Sequence, residues 1–198
     1  MSTPDDSLWN DFRAGDERAF EQLFRQHFRP LYAYGLRLTS DEEAAKDGIQ
    51  NLFQRLWHRR TRLGAVEAAA LRPYLFKALR RQLANAARDE ARRTGWHTGY
   101  AAELAAEFSY SPEDFLIAQE LSASQREHLL EALGQLTNRQ REVIYLKFFD
   151  GFAYERIADI MGLNAQSARN LIYQSLKLLK QRLPPPVWLL LLGSLGRW

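Results

Sequence analysis

The sequence predicts an all-α protein built from two small helical domains that are joined by a flexible linker. Three observations predict this fold class. Apolar residues recur at intervals of three and four over long segments, helix start and stop signals flank those segments, and no strand-like alternation of useful length occurs. The length of 198 residues allows one or two domains, because a domain takes about 150 residues.

Residues 8–93 are predicted to form the first domain. One helix is indicated by the apolar series Phe20, Leu23, Phe24, Phe28, Leu31 and Tyr32. A capping box of Ser40 and Glu43 is expected to start a second helix. The inner face of that helix is the stripe Ile49, Leu52, Phe53, Leu56 and Trp57. Pro73 suits the start of a third helix, whose face continues through Leu75, Leu79, Leu83 and Ala86.

The linker is predicted at residues 94–112, which lack basic side chains and show poor periodicity. The second domain is predicted at residues 113–183. Its start signal is Ser111-Pro112-Glu113-Asp114, in which a cap and a proline precede acids at the positive end of the helix dipole. Thr137 and Gln140 form a further capping box.

The tail, residues 184–198, opens with three prolines that end the last helix and then turns apolar. Its longest apolar run, Val187–Leu192, is far too short to span a membrane. No signal peptide is visible in the polar first six residues, and the chain has no cysteine, which fits a reducing compartment. We therefore expect a cytoplasmic protein with no membrane insertion.

Charge alternates in blocks along the chain, although the formal net charge is only +3. Residues 54–93 hold 11 basic and 3 acidic side chains, whereas residues 94–124 hold 5 acidic and no basic ones. Separate surfaces for separate partners would give this pattern, and so would solvated helix faces. The size of the basic excess favours a polyanion as the partner of residues 54–93.

A helix-turn-helix is predicted over residues 152–183. A short amphipathic helix is indicated by Tyr154, Ile157, Ala158 and Met161. Gly162 then supplies a left-handed helix stop, and Asn164 caps the next helix. The inner face of that helix is Ala168, Leu171, Ile172, Leu176, Leu179 and Leu183. In this motif the second helix enters the major groove of DNA by its N-terminal residues.

The outward side chains of the second helix suit base recognition, because Arg pairs with guanine and Asn or Gln with adenine. Residues 163–183 carry four basic side chains and no acid. The candidate contacts are Gln166, Ser167, Arg169, Asn170, Tyr173, Gln174 and Lys177. An ordinary helical hairpin with a polar outer face is the alternative that this pattern leaves open.

The first domain carries two further candidate surfaces. The apolar stripe of its second helix suits a bundle core, and its large aromatics also suit a helix-on-helix protein contact. The candidates there are Asp47, Gln50, Phe53, Leu56 and Trp57. In residues 71–93 aromatic and basic side chains are interleaved, which favours unpaired bases stacked on rings with cations along the backbone. The candidates are Tyr74, Phe76, Lys77, Arg80, Arg81 and Arg88, and we expect one of the two aromatics to be a core residue instead.

Both domains, in this order, resemble an extracytoplasmic-function sigma factor of the sigma-70 family of bacterial RNA polymerase. The segment AFEQLFRQHFRPLYAYGLRLTSDEEAAKDGIQNLFQRLW resembles the polymerase-binding part of the family's second region. RPYLFKALRRQLANAARDEARR resembles the part that melts and reads the −10 element. LTNRQREVIYLKFFDGFAYERIADIMGLNAQSARNLIYQSLKLLKQRL resembles the fourth region, which reads the −35 element.

The resemblance implies a sigma factor that directs core RNA polymerase to promoters and opens the DNA, with no catalytic site of its own. It implies that the candidates between Asp47 and Trp57 dock on the β′ clamp helices of core polymerase. It also implies that the chain contacts the β flap of the polymerase. The candidates between Tyr74 and Arg88 would contact the −10 element, and those between Gln166 and Lys177 the −35 element. The implied partners are core RNA polymerase, promoter DNA as duplex and as melted single strand, and an anti-sigma factor.

Other functions remain as alternatives. A helix-turn-helix repressor would bind DNA without polymerase and would use residues 20–93 as a sensor or dimerisation domain. An enzyme is disfavoured, because the four histidines are scattered and no HExxH, P-loop or nucleophile elbow occurs. A structural adaptor would leave the charge pattern of residues 163–183 unexplained. We therefore expect no cofactor, no metal and no catalytic residues.

Overall fold

The computed structural model describes residues 4–64, 68–93, 108–110 and 122–189. All regular secondary structure in these ranges is helical, which confirms the all-α prediction. The chain divides into two compact units, Met1–Glu107 and Phe108–Trp198. The predicted start signal Ser111–Asp114 and most of the predicted linker lie outside the described residues.

The first unit contains four α-helices within the described ranges. They are α1 (Pro4–Ala14), α2 (Glu17–Thr39), α3 (Glu42–Arg59) and α4 (Ala68–Arg93), with a 3₁₀ turn at Arg60–Arg62. The second unit contains α5 (Ala123–Gly134), α6 (Asn138–Phe148), α7 (Tyr154–Met161) and α8 (Ala165–Arg182). A further helical turn includes residues 185–189.

The start of α3 corrects the sequence prediction. The N-cap is Asp41, whose Oδ1 accepts from the backbone N–H groups of Glu43 at 2.9 Å and Ala44 at 3.1 Å. Ser40, the predicted cap, instead ends α2 in the left-handed region with φ +53° and donates its N–H to Leu36 O at 2.7 Å. The predicted Ser40–Glu43 capping box is therefore wrong, because Ser40 serves the preceding helix.

The position of Pro73 is a second correction. It was predicted to start its helix, but α4 begins at Ala68 and Pro73 lies inside it, buried. A proline there removes one backbone donor from the helix. The alanines that precede it extend the helix toward the N-terminus.

Apolar faces of all four helices fill the core of the first unit. The fully buried large side chains there are Phe12, Leu31, Tyr34, Ile49, Leu75, Phe76 and Leu79. Helices α3 and α4 approach closely at Gly48, where a Cβ atom would lie 2.6 Å from Leu83 Cδ2. Gln82 also donates from Nε2 to Gly48 O at 2.8 Å. This contact fixes α4 against the helix that carries Asp47 and Gln50.

Helix α1 was not predicted as an element, yet it contributes to this core. Leu8, Trp9 and Phe12 are all buried, and Trp9 Nε1 donates to Gly64 O at 3.2 Å. The bond ties the N-terminal helix to the chain that follows the 3₁₀ turn.

The second unit is built around α6, α7 and α8. The predicted capping box at the start of α6 is present, with Thr137 and Gln140 each bonded to the other's backbone N–H. Two residues from the predicted linker, Phe108 and Tyr110, pack on this unit. Arg141 donates from Nη1 to Phe108 O at 3.1 Å, and Tyr110 donates from its hydroxyl to Arg141 O at 2.7 Å.

The predicted tail also contributes to the second unit. Val187 is fully buried in a cluster with Leu129, Leu133 and Leu179, and Trp188 packs against that cluster. The start of the tail therefore extends the core that α5 and α8 share.

Candidate nucleic-acid interface

The turn between α7 and α8 has the geometry of a helix-turn-helix. Gly162 adopts φ +67°, a conformation that suits glycine at the end of a helix. Leu163 N–H then donates to Ala158 O at 2.8 Å, and Asn164 Oδ1 accepts from Ser167 N–H at 2.7 Å. The stop at Gly162 and the cap at Asn164 are therefore both confirmed, and together they set where α8 begins.

Helix α8 presents one polar face to solvent. All seven candidate contacts predicted on it are exposed, and Tyr173 has 68% of its surface accessible. On the opposite face Ala168, Ile172 and Leu179 are buried. The sequence missed Ser175, which is buried on that inner face and donates from its hydroxyl to Leu171 O at 2.7 Å.

Three side-chain contacts organise the exposed face of α8. Gln166 Nε2 donates to Asn170 Oδ1 at 3.0 Å. Arg169 Nη2 lies 2.7 Å from Glu155 Oε1, and the Arg169 guanidinium carbon lies 5.6 Å from the centre of the Tyr154 ring. The sequence did not indicate that Tyr154 and Glu155 would contact Arg169, because these contacts depend on how α7 and α8 pack together.

The two aromatic candidates of α4 occupy different environments. Tyr74 is 39% exposed, whereas Phe76 is fully buried with its ring centre 4.9 Å from that of Tyr34. Phe76 is thus the aromatic that belongs to the core. The basic candidates Lys77, Arg81 and Arg88 are exposed and Arg80 is half-buried. Of these two rings, Tyr74 is therefore the one that is accessible to solvent.

The candidates of α3 also divide by exposure. Asp47 and Gln50 are exposed, but Phe53 and Leu56 are buried at 4% and 5% exposure. Trp57 is half-buried, 5.1 Å from the ring centre of Phe20 and 4.2 Å from the guanidinium carbon of Arg60. The polar candidates and part of Trp57 are accessible to a partner, while Phe53 and Leu56 hold the helix in its bundle.

Two family models match the chain. The model described as "Sigma-70 region 2" matches residues 23–93, and the model described as "Sigma-70, region 4" matches residues 126–179. A relative, the RNA polymerase sigma factor CarQ of Myxococcus xanthus, is 31% identical over 160 residues, which are 80% of this chain and 85% of CarQ. The chain belongs to the extracytoplasmic-function sigma factors of the sigma-70 family.

Other similarities agree with this family. The ECF RNA polymerase sigma factor SigL of Mycobacterium tuberculosis is 25% identical over 84% of this chain and 90% of SigL. The fold is shared with the sigma factor RpoE of Bartonella quintana, solved in complex with the anti-sigma factor NepR. That likeness has a TM-score of 0.59 and 23% identity over 82% of this chain and 94% of RpoE.

Membership in the family makes this chain a sigma factor for transcription initiation and indicates a non-catalytic specificity subunit of RNA polymerase. Where the structure describes the chain, no three His, Cys, Asp or Glu side chains come together as a metal site would require. No helix among the described residues is long and apolar enough to cross a membrane.

An electrostatic cluster beside the exposed residues of α3 was also missed at the sequence level. Lys46 and Tyr32 both hydrogen-bond Glu42, which holds the pKa of that carboxyl below its usual range. The hydrogen bond to Glu42 raises the pKa of Lys46. Partial burial, together with the hydrogen bond to Glu42, raises the pKa of Tyr32. The Lys46–Glu42 distance is 2.6 Å, so this sigma factor presents a paired charge, not a free one, next to Asp47.

Proposed function

We propose that this sigma factor guides core RNA polymerase to promoters by binding the −35 duplex with α8 and by holding the melted −10 strand on α4. The predicted domains, residues 8–93 and 113–183, lie within the two units and would divide these tasks. The observation that carries the proposal is the exposed face of α8, the helix that follows the turn of the helix-turn-helix. Every residue predicted there to contact a base or a phosphate is exposed to solvent.

For the −35 element, the N-terminal half of α8 supplies the side chains that distinguish bases. Arg169 suits guanine, and Gln166 and Asn170 suit adenine. Lys177 lies further along the same helix and suits a phosphate, which would fix the register of α8 on the duplex. The absence of acidic residues from α8 supports its approach to the DNA backbone.

For the −10 element, α4 combines one exposed ring with exposed cations. Unstacking a base costs a few kcal/mol, and stacking on an aromatic side chain returns about 1–3 kcal/mol per base. We propose that Tyr74 supplies this stacking and that Lys77, Arg80, Arg81 and Arg88 follow the sugar-phosphate backbone. Phe76 would act indirectly, by keeping α4 in place.

For core polymerase, Asp47, Gln50 and the exposed part of Trp57 form the proposed contact with the β′ clamp helices. The buried pair Phe53 and Leu56 would support this surface from beneath. A contact of the second unit with the β flap completes the interaction that the family implies. Because the proposed template is the chromosome, we expect the complex to act in the cytoplasm.

An anti-sigma factor is a further proposed partner. RpoE of Bartonella quintana, which shares this fold, was solved with the anti-sigma factor NepR. We propose that this chain is likewise held inactive by an anti-sigma protein until an inducing signal releases it.

Reconstitution tests the proposed function. The purified chain is added to sigma-free core polymerase from the source bacterium on genomic DNA, and the transcripts are sequenced. We expect new start sites that share −10 and −35 sequences and that vanish without the chain. If no start site depends on the chain, and if it protects a palindrome without polymerase, the repressor alternative replaces this proposal.

A further inference from the structure

We propose that Glu155 is a positioning residue for promoter selectivity, because its carboxylate fixes Arg169 in the orientation that reads the −35 duplex. This inference rests on the proposed function, since it requires Arg169 to contact a base. It concerns a residue of α7, which lies outside the helix that enters the groove.

The geometry joins the two helices of the motif. Arg169 Nη2 lies 2.7 Å from Glu155 Oε1, a contact between residues 14 positions apart. The Tyr154 ring lies beside the same guanidinium at 5.6 Å, and Lys147 Nζ lies 4.7 Å from the centre of that ring. Arg169 therefore hydrogen-bonds a carboxylate on α7 and lies beside an aromatic ring of the same helix, which a second cation also approaches.

Such a contact leaves Arg169 able to bind DNA. A guanidinium has five N–H donors, and the bond to Glu155 engages Nη2, so donors remain for the two acceptors of guanine. A free arginine samples many rotamers, and binding must then select one of them. Fixing the side chain beforehand reduces that entropic cost, which improves binding to the matching base.

The exposure of the pair argues that its role is orientation rather than stability. The Arg169 and Glu155 side chains are 48% and 61% exposed, and exposed ion pairs contribute little to folding. A carboxylate near the DNA backbone also repels phosphates. Removing it should therefore weaken the preference for the correct base while leaving non-specific binding unchanged or stronger.

The alternative is that Glu155 only stabilises the start of α7, where an acid interacts favourably with the helix dipole. That role predicts equal losses of specific and non-specific binding, together with a lower thermal midpoint. The two roles therefore differ in the sign of the change in non-specific binding.

The test uses full-length chain in complex with core polymerase. The probes are a duplex library randomised over the −35 element of a mapped promoter and a promoterless duplex of equal length. The variants are Glu155→Ala, Glu155→Gln, Arg169→Ala and the double alanine variant, with Glu127→Ala as a control at an exposed acid of α5. Thermal unfolding is measured for each variant.

We expect Glu155→Ala to lower the preference at one base pair by about 1.5- to fivefold, the size of one exposed ion pair. Binding to the promoterless duplex should stay equal or rise. Glu155→Gln keeps an acceptor oxygen and should retain part of the preference, and Glu127→Ala should retain all of it. In the double variant the loss should equal that of Arg169→Ala alone.

Two results would overturn the inference while the proposed function stands. One is a changed preference in Arg169→Ala with an unchanged preference in Glu155→Ala. The other is an equal loss on both probes with a lower thermal midpoint in both Glu155 variants. An unchanged preference in Arg169→Ala would instead refute the proposed role of Arg169, and the inference would fail with it.

Discussion

Replacing Tyr74 and Phe76 one at a time should separate the DNA contact of α4 from its packing. The two residues are only two positions apart in the sequence. Tyr74 is nevertheless 39% exposed, whereas Phe76 is fully buried against Tyr34. Tyr74→Ala should therefore impair promoter opening and leave the fold intact. Phe76→Ala should unfold α4 or loosen it.

The magnitudes follow from these environments. Tyr74→Ala removes stacking with one base, about 1–3 kcal/mol, which lowers the population of open complexes by a factor of about 5 to 150. Its effect on folding should stay below about 1 kcal/mol, as for most surface substitutions. Phe76→Ala removes a buried ring and should cost about 3–5 kcal/mol of folding free energy.

Two assays measure these effects separately. Open complexes on a mapped promoter are quantified by the permanganate reactivity of unpaired thymines, and the stability of α4 by amide hydrogen exchange, which resolves local units of the fold. Tyr74→Phe is the matched control, because it keeps the ring. The reasoning is refuted if Tyr74→Ala opens the promoter as well as the unmodified chain does, or if Phe76→Ala leaves the exchange protection of α4 unchanged.

Three further predictions concern the other surfaces. Arg169→Ala should weaken discrimination at one −35 base pair by about 1–3 kcal/mol, measured by competition between base-substituted duplexes. The control variant Lys180→Ala, in the last turn of α8, should keep the preference. Asp47→Arg should reduce co-purification with core polymerase while the thermal midpoint stays constant; undiminished co-purification would remove this contact. Asn164→Ala should destabilise the second unit by about 1 kcal/mol, because it removes the side chain that caps α8. Asn164→Asp keeps a capping oxygen and should not destabilise the unit, and denaturant unfolding measures both variants.

Periodicity predicted the inward and outward faces of α8 because the spacing of apolar residues directly records which side of a helix is buried. Ala168 and Ile172 are inside and Arg169 and Tyr173 outside, as the pattern indicated. The same reasoning could not decide whether Phe53 contacts a partner or the core. Both roles require an apolar side chain on the same stripe, so the sequence pattern is identical for the two.

Helix ends were harder to place because neighbouring residues compete for the same role. Ser40 and Asp41 are both good N-caps, and only the backbone shows that Ser40 adopts the left-handed conformation and leaves the cap to Asp41. Contacts between distant residues were beyond local patterns altogether. Nothing near Arg169 in sequence indicates Glu155, and nothing near Phe108 indicates the Arg141 side chain that binds its carbonyl.

The central claim is that α4 and α8 contact different promoter elements, and site-specific cross-linking measures this directly. The chain has no cysteine, so Arg81→Cys and Ser167→Cys each provide one attachment point for a thiol-linked photoprobe without background. In promoter complexes with core polymerase, we expect the probe at position 81 to label the −10 region and the probe at position 167 to label the −35 duplex. Labelling of the same DNA segment by both probes, or of no promoter DNA by either, would contradict the account.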